Sequence, residues 1–192
     1  MKILHIDSSI TGEHSVSRQL TASIVDRIKT FTPDAEVTHR DLVASPLSHI
    51  ELHSLPGDAT EAAVDSATVL EEFLAADTVV IGAPMYNFAI PSQLKAWIDR
   101  ILLAGKTFRY TANGPEGLVG GKRVIVAVSR GGFYGADAAA AALEHTQTYL
   151  NGVFNFIGVQ PEFVIAEGIA VGPEQREAAI DEASGAITAL AA

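Results

Sequence analysis

Two short runs of apolar, mostly β-branched residues constrain this sequence more than any other feature. The first is Thr78–Pro84 (TVVIGAP), and the second lies within Arg123–Ser129 (RVIVAVS). A strand that is apolar at nearly every position is typically buried on both faces, as at the centre of a parallel sheet. A sheet of that kind needs helices on both sides. The two runs therefore predict a layered α/β fold.

Weaker strand patterns and helical patterns alternate with these two runs. Strands are predicted at residues 3–7, 35–39 and 163–167, and helices at residues 15–28, 60–75, 91–103, 136–154 and 174–190. Strands separated by helices pair in parallel through right-handed crossovers. The pattern predicts one domain with a doubly wound, five-stranded sheet, flavodoxin-like or Rossmann-like. Two segments, at about 41–58 and 105–121, are predicted to be loop excursions.

Charge and composition exclude several classes of function. The chain has 23 acidic and 13 basic residues, a net charge of −10 and no cysteine. An acidic surface repels nucleic acids and anionic lipids, and the lack of cysteine excludes disulfides and thiolate metal sites. The apolar runs are too short to span a membrane, and Asp7 with Ser8 interrupts any signal-peptide core. We expect a cytoplasmic protein that binds neither nucleic acid nor membrane.

The first candidate ligand loop, residues 8–17, is rich in hydroxyl groups and precedes a helix. Ligands of open α/β sheets bind at the carboxyl ends of the strands, and a helix N-terminus favours an anion. The loop matches neither G-x-x-x-x-G-K-[ST] nor G-x-G-x-x-G, so a phosphomonoester fits better than a triphosphate or a pyrophosphate. The alternative is that Ser15 and Ser17 only cap the helix.

Two further loops follow the two buried strands. Residues 84–88 (PMYNF) offer aromatic and thioether side chains, which suit a flat ligand. Residues 129–132 (SRGG) offer glycine amides and Arg130, which is expected to balance electron density on a ligand. The alternatives are aromatic packing against a neighbouring helix and an ordinary glycine turn. Taken together, the three loops predict a site for flavin mononucleotide (FMN).

Four motifs in order make the chain resemble the FMN-dependent NADH-azoreductases, which are also described as quinone reductases. They are PMYNF at 84–88, TFRYT at 107–111, NGPEGL at 113–118 and SRGG at 129–132. The resemblance covers nearly the whole chain. It implies a single flavodoxin-like domain over residues 1–192. The implied fold is an α/β three-layer sandwich with helices on both faces of a five-stranded parallel sheet in the order 2-1-3-4-5.

The same resemblance implies which residues form the site. Those around the FMN phosphate are Ser9, Ser15, Val16 and Ser17. Those along the flavin ring are Met85, Tyr86, Asn87 and Phe88 on one edge, and Ser129, Arg130, Gly131 and Gly132 on the other. The pocket in which NADH and the acceptor alternate includes Phe108 and Tyr110. Tyr134 stands near a position where some relatives carry histidine, so the polar contact there is expected to be a phenol.

The implied activity is a two-electron, ping-pong transfer from NADH through FMN to quinones, with reductive cleavage of aromatic azo compounds. FMN carries the chemistry, so no side chain is assigned as a catalytic acid or base. The resemblance also implies a homodimer with an FMN at each of two interface sites. The helix after Pro91 supports this expectation, because Leu94, Trp97 and Ile98 occupy more than one of its faces.

Other functions weighed against this hypothesis have weaker support in the sequence. A flavodoxin-type electron carrier with a protein redox partner is the main alternative. A receiver-like signalling domain needs an aspartate after the third strand, where the chain has Pro84, and a serine hydrolase needs G-x-S-x-G, which is absent. His49 and His53 are four residues apart but lie in a predicted loop, so no metal site is expected.

Overall fold

The computed structural model describes residues 1–54, 58 and 60–191. Strands and helices alternate along it: β1 (Lys2–Asp7), α1 (Val16–Phe31), β2 (Glu36–Asp41), α2 (Glu61–Ala75), β3 (Thr78–Pro84), α3 (Ser92–Ile101), β4 (Phe108–Thr111), β5 (Gly114–Gly117), β6 (Arg123–Ser129), α4 (Gln147–Phe156), β7 (Glu162–Ala166) and α5 (Pro173–Thr188). The expected excursion at 41–58 includes residues 55–57, which lie outside the described residues. Within the described chain, no helix combines the length and the apolar character needed to cross a membrane.

The main sheet has five parallel strands in the order β2-β1-β3-β6-β7. The predicted order 2-1-3-4-5 is wrong when every strand of the chain is numbered, because two strands outside this sheet come before its last two strands. The excursion at 105–121, expected to be a loop, contains the antiparallel hairpin β4–β5. Cross-strand pairing of Arg109 with Glu116 and the positive φ of Gly114, 109°, are typical of a tight hairpin. The hairpin takes two strand numbers, so the last two strands of the sheet are β6 and β7.

Alternate residues of each strand enter two separate cores, one on each face of the sheet. Val79 and Ile81 of β3 pack with α2, α3 and α4, whereas Val80 packs with α1 and α5. The residues of β3 are all buried, as the apolar run predicts. The flavodoxin-like arrangement with helices on both faces is therefore confirmed. Two cores form because successive side chains of a strand point to opposite faces of the sheet.

The predicted helix at 136–154 is wrong in its first half. Residues 136–146 form turns and a short 3-10 helix, Ala141–Leu143, and the α-helix begins only at Gln147. The Glu144 carboxylate accepts hydrogen bonds from the amides of Gln147 and Thr148 and so caps α4 at that point. The alanines at 138–142 have high helix propensity, but none of them is buried, and propensity alone does not hold a short helix in water.

The apolar side chains of α3 do not leave an exposed face, so the argument from this helix for a dimer is wrong. Leu94, Trp97 and Ile98 are fully buried within the single chain. Phe108 and Val119, from the segment that follows α3, belong to the same core. The helix is therefore covered from within the chain, with Phe73 of α2 packed edge-on against Trp97.

We predict that Phe73→Ala will destabilise the protein strongly. The Phe73 side chain is fully buried, and its ring lies edge-on to Trp97 with centroids 5.9 Å apart. Removing a buried phenylalanine costs about 3–5 kcal/mol of unfolding free energy. The control is Val64→Ala in the same helix, since Val64 is 61% exposed and its loss should change stability by less than about 0.5 kcal/mol. Urea unfolding of both variants measures the difference, and equal losses would contradict this account of the core.

Candidate functional site

The loops that follow β1, β3, β6 and β7 meet at the carboxyl edge of the sheet and enclose a cavity of about 330 Å³. Pockets for small molecules span about 300–1,000 Å³. The residues that line the cavity are Ser9, Thr11, His14, Ser15, Val16, Pro84, Met85, Tyr86, Ser129, Gly131, Ile169, Ala170 and Arg176. The structure thus brings residues of all three predicted loops to one place.

Hydroxyl groups surround the N-terminus of α1 at one end of this cavity. Ser15 is the N-cap, and its Oγ accepts a hydrogen bond from the Arg18 amide at 3.2 Å. The Ser17 Oγ lies 3.1 Å from the Ser15 Oγ, and both side chains are buried. The predicted capping role is therefore correct for Ser15, while Ser17 adds a hydroxyl beyond the cap. With the free amides of the first turn, the serines form a cradle suited to an anion.

Tyr86 connects the first loop with the second. Its hydroxyl accepts a hydrogen bond from the Ile10 amide at 3.0 Å and lies 3.2 Å from the Ser9 Oγ. The Met85 amide in turn donates to the Ser129 carbonyl at 2.8 Å, so the second loop is also tied to the third. These contacts hold three separate chain segments in one arrangement.

The second loop turns sharply at two non-glycine residues with left-handed backbone. Asn87 has φ 49° and Phe88 has φ 72°. Reciprocal hydrogen bonds between Tyr86 and Ala89, at 2.9 and 3.1 Å, close the turn around them. Such a conformation costs about 1–3 kcal/mol for a non-glycine residue and is concentrated at functional sites. Both side chains are exposed at the tip of the loop.

Arg130 does not face the cavity, contrary to the expected contact with a ligand. Its guanidinium is 2% exposed and donates to the Gln147 Oε1 at 2.8 Å and to the Glu167 Oε2 at 3.2 Å. It also forms an ion pair with Glu144 at 3.2 Å. Its amide donates to the Ala166 carbonyl, so this group is engaged as well. Arg130 instead joins the end of β6 to α4 and to the loop after β7.

The backbone N–H groups of Gly131 and Gly132 in the third loop are available to a ligand. The carbonyl oxygens of these glycines accept hydrogen bonds from Ala170 and Gly168, at 3.0 and 2.9 Å. Their N–H groups make no hydrogen bond to any residue in the part of the chain that the structure describes. Beside them, the Tyr134 ring packs edge-on against Phe88, with centroids 6.2 Å apart. The loop therefore combines free donors with an aromatic wall.

Phe108 and Tyr110, expected in the substrate pocket, lie elsewhere in the single chain. Phe108 is in the core and packs against Phe156, with ring centroids 4.7 Å apart. Tyr110 is 75% exposed. The hairpin that carries them precedes β6 and follows α3, which returns from the carboxyl edge of β3. Its base therefore lies at the amino edge of the sheet, opposite the cavity.

Cationic side chains near the cavity differ in what they contact. Arg18 does not line the cavity; it donates to the Asp41 carboxylate at 2.7 and 2.8 Å and to the Ser9 carbonyl. The Arg18 hydrogen bonds hold the pKa of the Asp41 carboxyl well below its usual range. Arg176 lines the cavity, and its guanidinium donates to the His14 carbonyl at 3.2 Å.

Sequence reasoning assigned no site residue to the loop after β7 or to the start of α5. Ile169, Ala170 and Arg176 line the cavity, and so do Thr11 and His14 of the first loop. The sequence did offer a signal for Ile169 and Ala170, since the chain that follows the last strand must also emerge at the carboxyl edge of a parallel sheet. No local pattern marks Arg176, whose position depends on how α5 packs against α1.

Comparison with known proteins agrees with this architecture. The family model described as flavodoxin-like fold matches residues 1–190. The chain is 60% identical to FMN-dependent NADH:quinone oxidoreductase 2 of Bradyrhizobium diazoefficiens over 201 residues, covering all of both chains. It is 57% identical to FMN-dependent NADH:quinone oxidoreductase of Methylocella silvestris, again over all of both. The chain belongs to this flavodoxin-like family.

A solved structure gives the same result. An FMN-dependent NADH-azoreductase of Bacillus anthracis, in complex with FMN, superposes with a TM-score of 0.86 at 28% identity. The alignment covers 100% of this chain and 99% of that chain. A second Bacillus anthracis azoreductase has a TM-score of 0.85 at 30% identity and covers 99% of this chain and 100% of that one. The resemblance stated from the four motifs is confirmed.

We predict that Glu144→Gln will lower stability at neutral pH. Burial raises the pKa of Glu144, but the Gln147 and Thr148 amides and the charge of Arg130 lower it further, so the net pKa is below its usual value. Losing the carboxylate weakens the cap of α4 and the buried pair with Arg130, which we expect to cost about 1–3 kcal/mol.

The pH dependence has a definite sign. A carboxyl whose pKa is lowered by folding stabilises the protein fully above its unfolded pKa, about 4.3, and loses that effect as pH falls through the folded value. Wild type should therefore exceed Glu144→Gln in urea midpoint at pH 7, and the gap should narrow below about pH 4.3. Glu177→Gln, at an exposed position of α5, is the control and should match wild type. A gap that is the same at all pH values would contradict this assignment.

Proposed function

We propose that this chain is an FMN-dependent NADH:quinone oxidoreductase that also reduces aromatic azo compounds. The observation that carries the proposal is the cavity at the carboxyl edge of the sheet. Buried serine hydroxyls at the start of α1, the Tyr86 side chain and Gly131 line this one cavity, and the N–H groups of Gly131 and its neighbour Gly132 make no hydrogen bond within the described residues. The close relatives, named FMN-dependent NADH:quinone oxidoreductases, support the same activity.

The residues present fit FMN at both ends of the ligand. Ser9, Ser15 and Ser17, with the Val16 amide at the start of α1, suit the phosphate, since hydroxyls and helix amides donate to its oxygens. Arg176 adds a positive charge at the cavity wall. Towards the ring we place a larger set: Met85, Tyr86, Asn87, Phe88, Ser129, Gly131 and Gly132. Arg130 acts behind this set, through Glu167 and Gln147.

The protein positions and tunes the reaction rather than supplying a reactive side chain. When bound, FMN accepts two electrons as hydride from NADH and passes them to a quinone or an azo compound. The Gly131 and Gly132 amides are placed to stabilise negative charge that develops on a bound ring. Phe88 and Tyr134 provide aromatic surface for a planar substrate at the exposed side of the loops.

The alternative, a flavodoxin-type electron carrier, is not favoured. Such a carrier passes electrons to a protein partner and does not itself oxidise NADH. Purified protein incubated with NADH distinguishes the two, since NADH should be consumed only slowly alone and rapidly after menadione or methyl red is added. A yellow protein that leaves NADH unchanged in the presence of both acceptors would favour the carrier.

We further propose that the protein works as a homodimer in the cytoplasm. The exposed side chain of Tyr110 supports the dimer, because its hairpin begins at the sheet edge opposite the cavity. If Tyr110 borders a substrate pocket, that pocket is the cavity of a second copy. Phe108 then acts from the core by holding the hairpin, and its ring stacks edge-on to Tyr110 with centroids 5.6 Å apart.

Sedimentation at micromolar concentration tests the dimer. We expect a species of twice the chain mass of 20.2 kDa. Tyr110→Ala should keep FMN bound but oxidise NADH more slowly with quinone present, since the side chain is exposed and its loss spares the fold. A single 20.2 kDa species, or full quinone activity in Tyr110→Ala, would contradict the arrangement.

The phosphate cradle is tested by comparing FMN with riboflavin, which lacks the phosphate. We predict that Ser17→Ala and Arg176→Gln will each weaken FMN binding, because each removes a donor to the phosphate. A hydrogen bond to a charged group is worth about 1.5–3 kcal/mol, so the Kd should rise roughly 10-fold to 150-fold. Riboflavin binding should change little in either variant. Flavin fluorescence quenching on titration of the apoprotein measures both constants.

The matched control is Ser23→Ala on the same helix, since Ser23 is exposed and its hydroxyl donates to the Gln19 carbonyl at 3.0 Å. That variant should bind both flavins as wild type does. Wild-type protein that binds FMN no more tightly than riboflavin would show that the cradle does not hold the phosphate. Equal weakening of both flavins in Ser17→Ala would point to a general distortion of the loop instead.

A further inference from the structure

Two histidines and an aspartate form a cluster on β1 and β2, apart from the residues that line the cavity. His5 and His39 stand opposite each other in the register of the parallel pair, and Asp7 lies two residues beyond His5 on the same face. The His39 Nε2 is 3.0 Å from the Asp7 Oδ2, and the His5 Nε2 is 3.4 Å from the same oxygen. One donor atom from each residue lies within 4.8 Å of the others.

The two nitrogen–oxygen separations match those in the ligand set of a four-coordinate metal. Zn²⁺ binds imidazole nitrogen and carboxylate oxygen at about 2.0–2.1 Å, so two tetrahedral ligand atoms stand about 3.3 Å apart. The two nitrogen–oxygen distances in the cluster bracket that value. The His5 Nε2 is buried and makes no hydrogen bond within the described part of the chain. A buried nitrogen without a partner is costly unless another group uses it.

We propose that His5, Asp7 and His39 bind a divalent transition-metal ion, with Zn²⁺ as the best match to two imidazoles and one carboxylate. The side chain of His39 is 48% exposed, so an ion reaches the site from solvent and water supplies the fourth ligand. Because both strands belong to the sheet, the donors are held by backbone pairing rather than by flexible loops. Mg²⁺ is disfavoured, since it prefers oxygen ligands.

The charges around the cluster are compatible with a bound cation. The Arg18 Nη1 is 3.6 Å from the Asp7 Oδ2, which opposes metal binding. However, Arg18 forms a two-point ion pair with Asp41, so its charge is already balanced. The Asp7 Oδ1 accepts a hydrogen bond from the Thr21 Oγ1 at 2.9 Å, which fixes the carboxylate and leaves Oδ2 directed at the histidines.

The site has a defined relation to the cavity. Asp7 is the last residue of β1, directly before Ser8 and Ser9, and Arg18 donates to the Ser9 carbonyl. A bound ion therefore cross-links β1 and β2 beneath the loop of the cradle. We expect it to stabilise the fold, whereas the electron transfer itself uses none of its ligands. The proposal does not depend on the flavin site.

Calorimetric titration of the flavin-loaded protein with ZnCl₂, after chelator treatment, tests the proposal. We expect one ion per chain with a Kd at or below about 10 μM, a rise in thermal midpoint with Zn²⁺, and no binding of Mg²⁺. His39→Gln should raise the Kd at least about tenfold and abolish the thermal shift. His39 lies on an edge strand and is partly exposed, so this variant should fold.

The matched control is His53→Gln, which also removes a histidine beside an aspartate, since His53 lies 3.3 Å from Asp58. It should bind Zn²⁺ as wild type does. Co²⁺ in place of Zn²⁺ should give visible absorption bands of a four-coordinate ion, present in His53→Gln and lost in His39→Gln. Wild type that binds no Zn²⁺, or a His39→Gln variant that binds it with unchanged affinity, would overturn the proposal.

Discussion

The parallel pairing of β1, β3 and β6 is the constraint on which the rest of this molecule depends. Parallel strands place all their carboxyl ends at one edge, and residues 8–17, 84–90 and 129–132 leave the sheet there. The pairing is stable because both faces of these strands are covered: Val79 and Val80, neighbours in sequence, enter opposite cores and are both fully buried. Because helices bury both faces of the sheet, the sheet can hold irregular, polar loops at its carboxyl edge.

Within that frame, hydrogen bonds between the loops help to shape the cavity. Tyr86 joins the first loop, and the Met85 amide joins the third. The left-handed residues Asn87 and Phe88 persist because the contacts on either side of them over-determine the turn.

Buried charge is used for support and not for direct contact. Arg130 and Arg18 both stand close to the cavity, yet each is paired with carboxylates inside the protein, Glu144 and Glu167 for the one and Asp41 for the other. We propose that amides, hydroxyls and Arg176 contact an anionic ligand in their place.

The sequence by itself determined the α/β layering, the position of the two central strands and the three loops, because these depend on local patterns: an apolar run, a serine before a helix, adjacent glycines. Only the tertiary structure decided what depends on distant partners. The local sequence around Arg130 does not tell whether its side chain faces a ligand or the protein interior. The side chain points inward because the loop after β7 places the Glu167 carboxylate beside it. The alanine-rich run at 136–146 has helix propensity, but Glu144 sets the start of α4. His5 and His39 are 34 positions apart and became neighbours only through strand register, which no local pattern reveals.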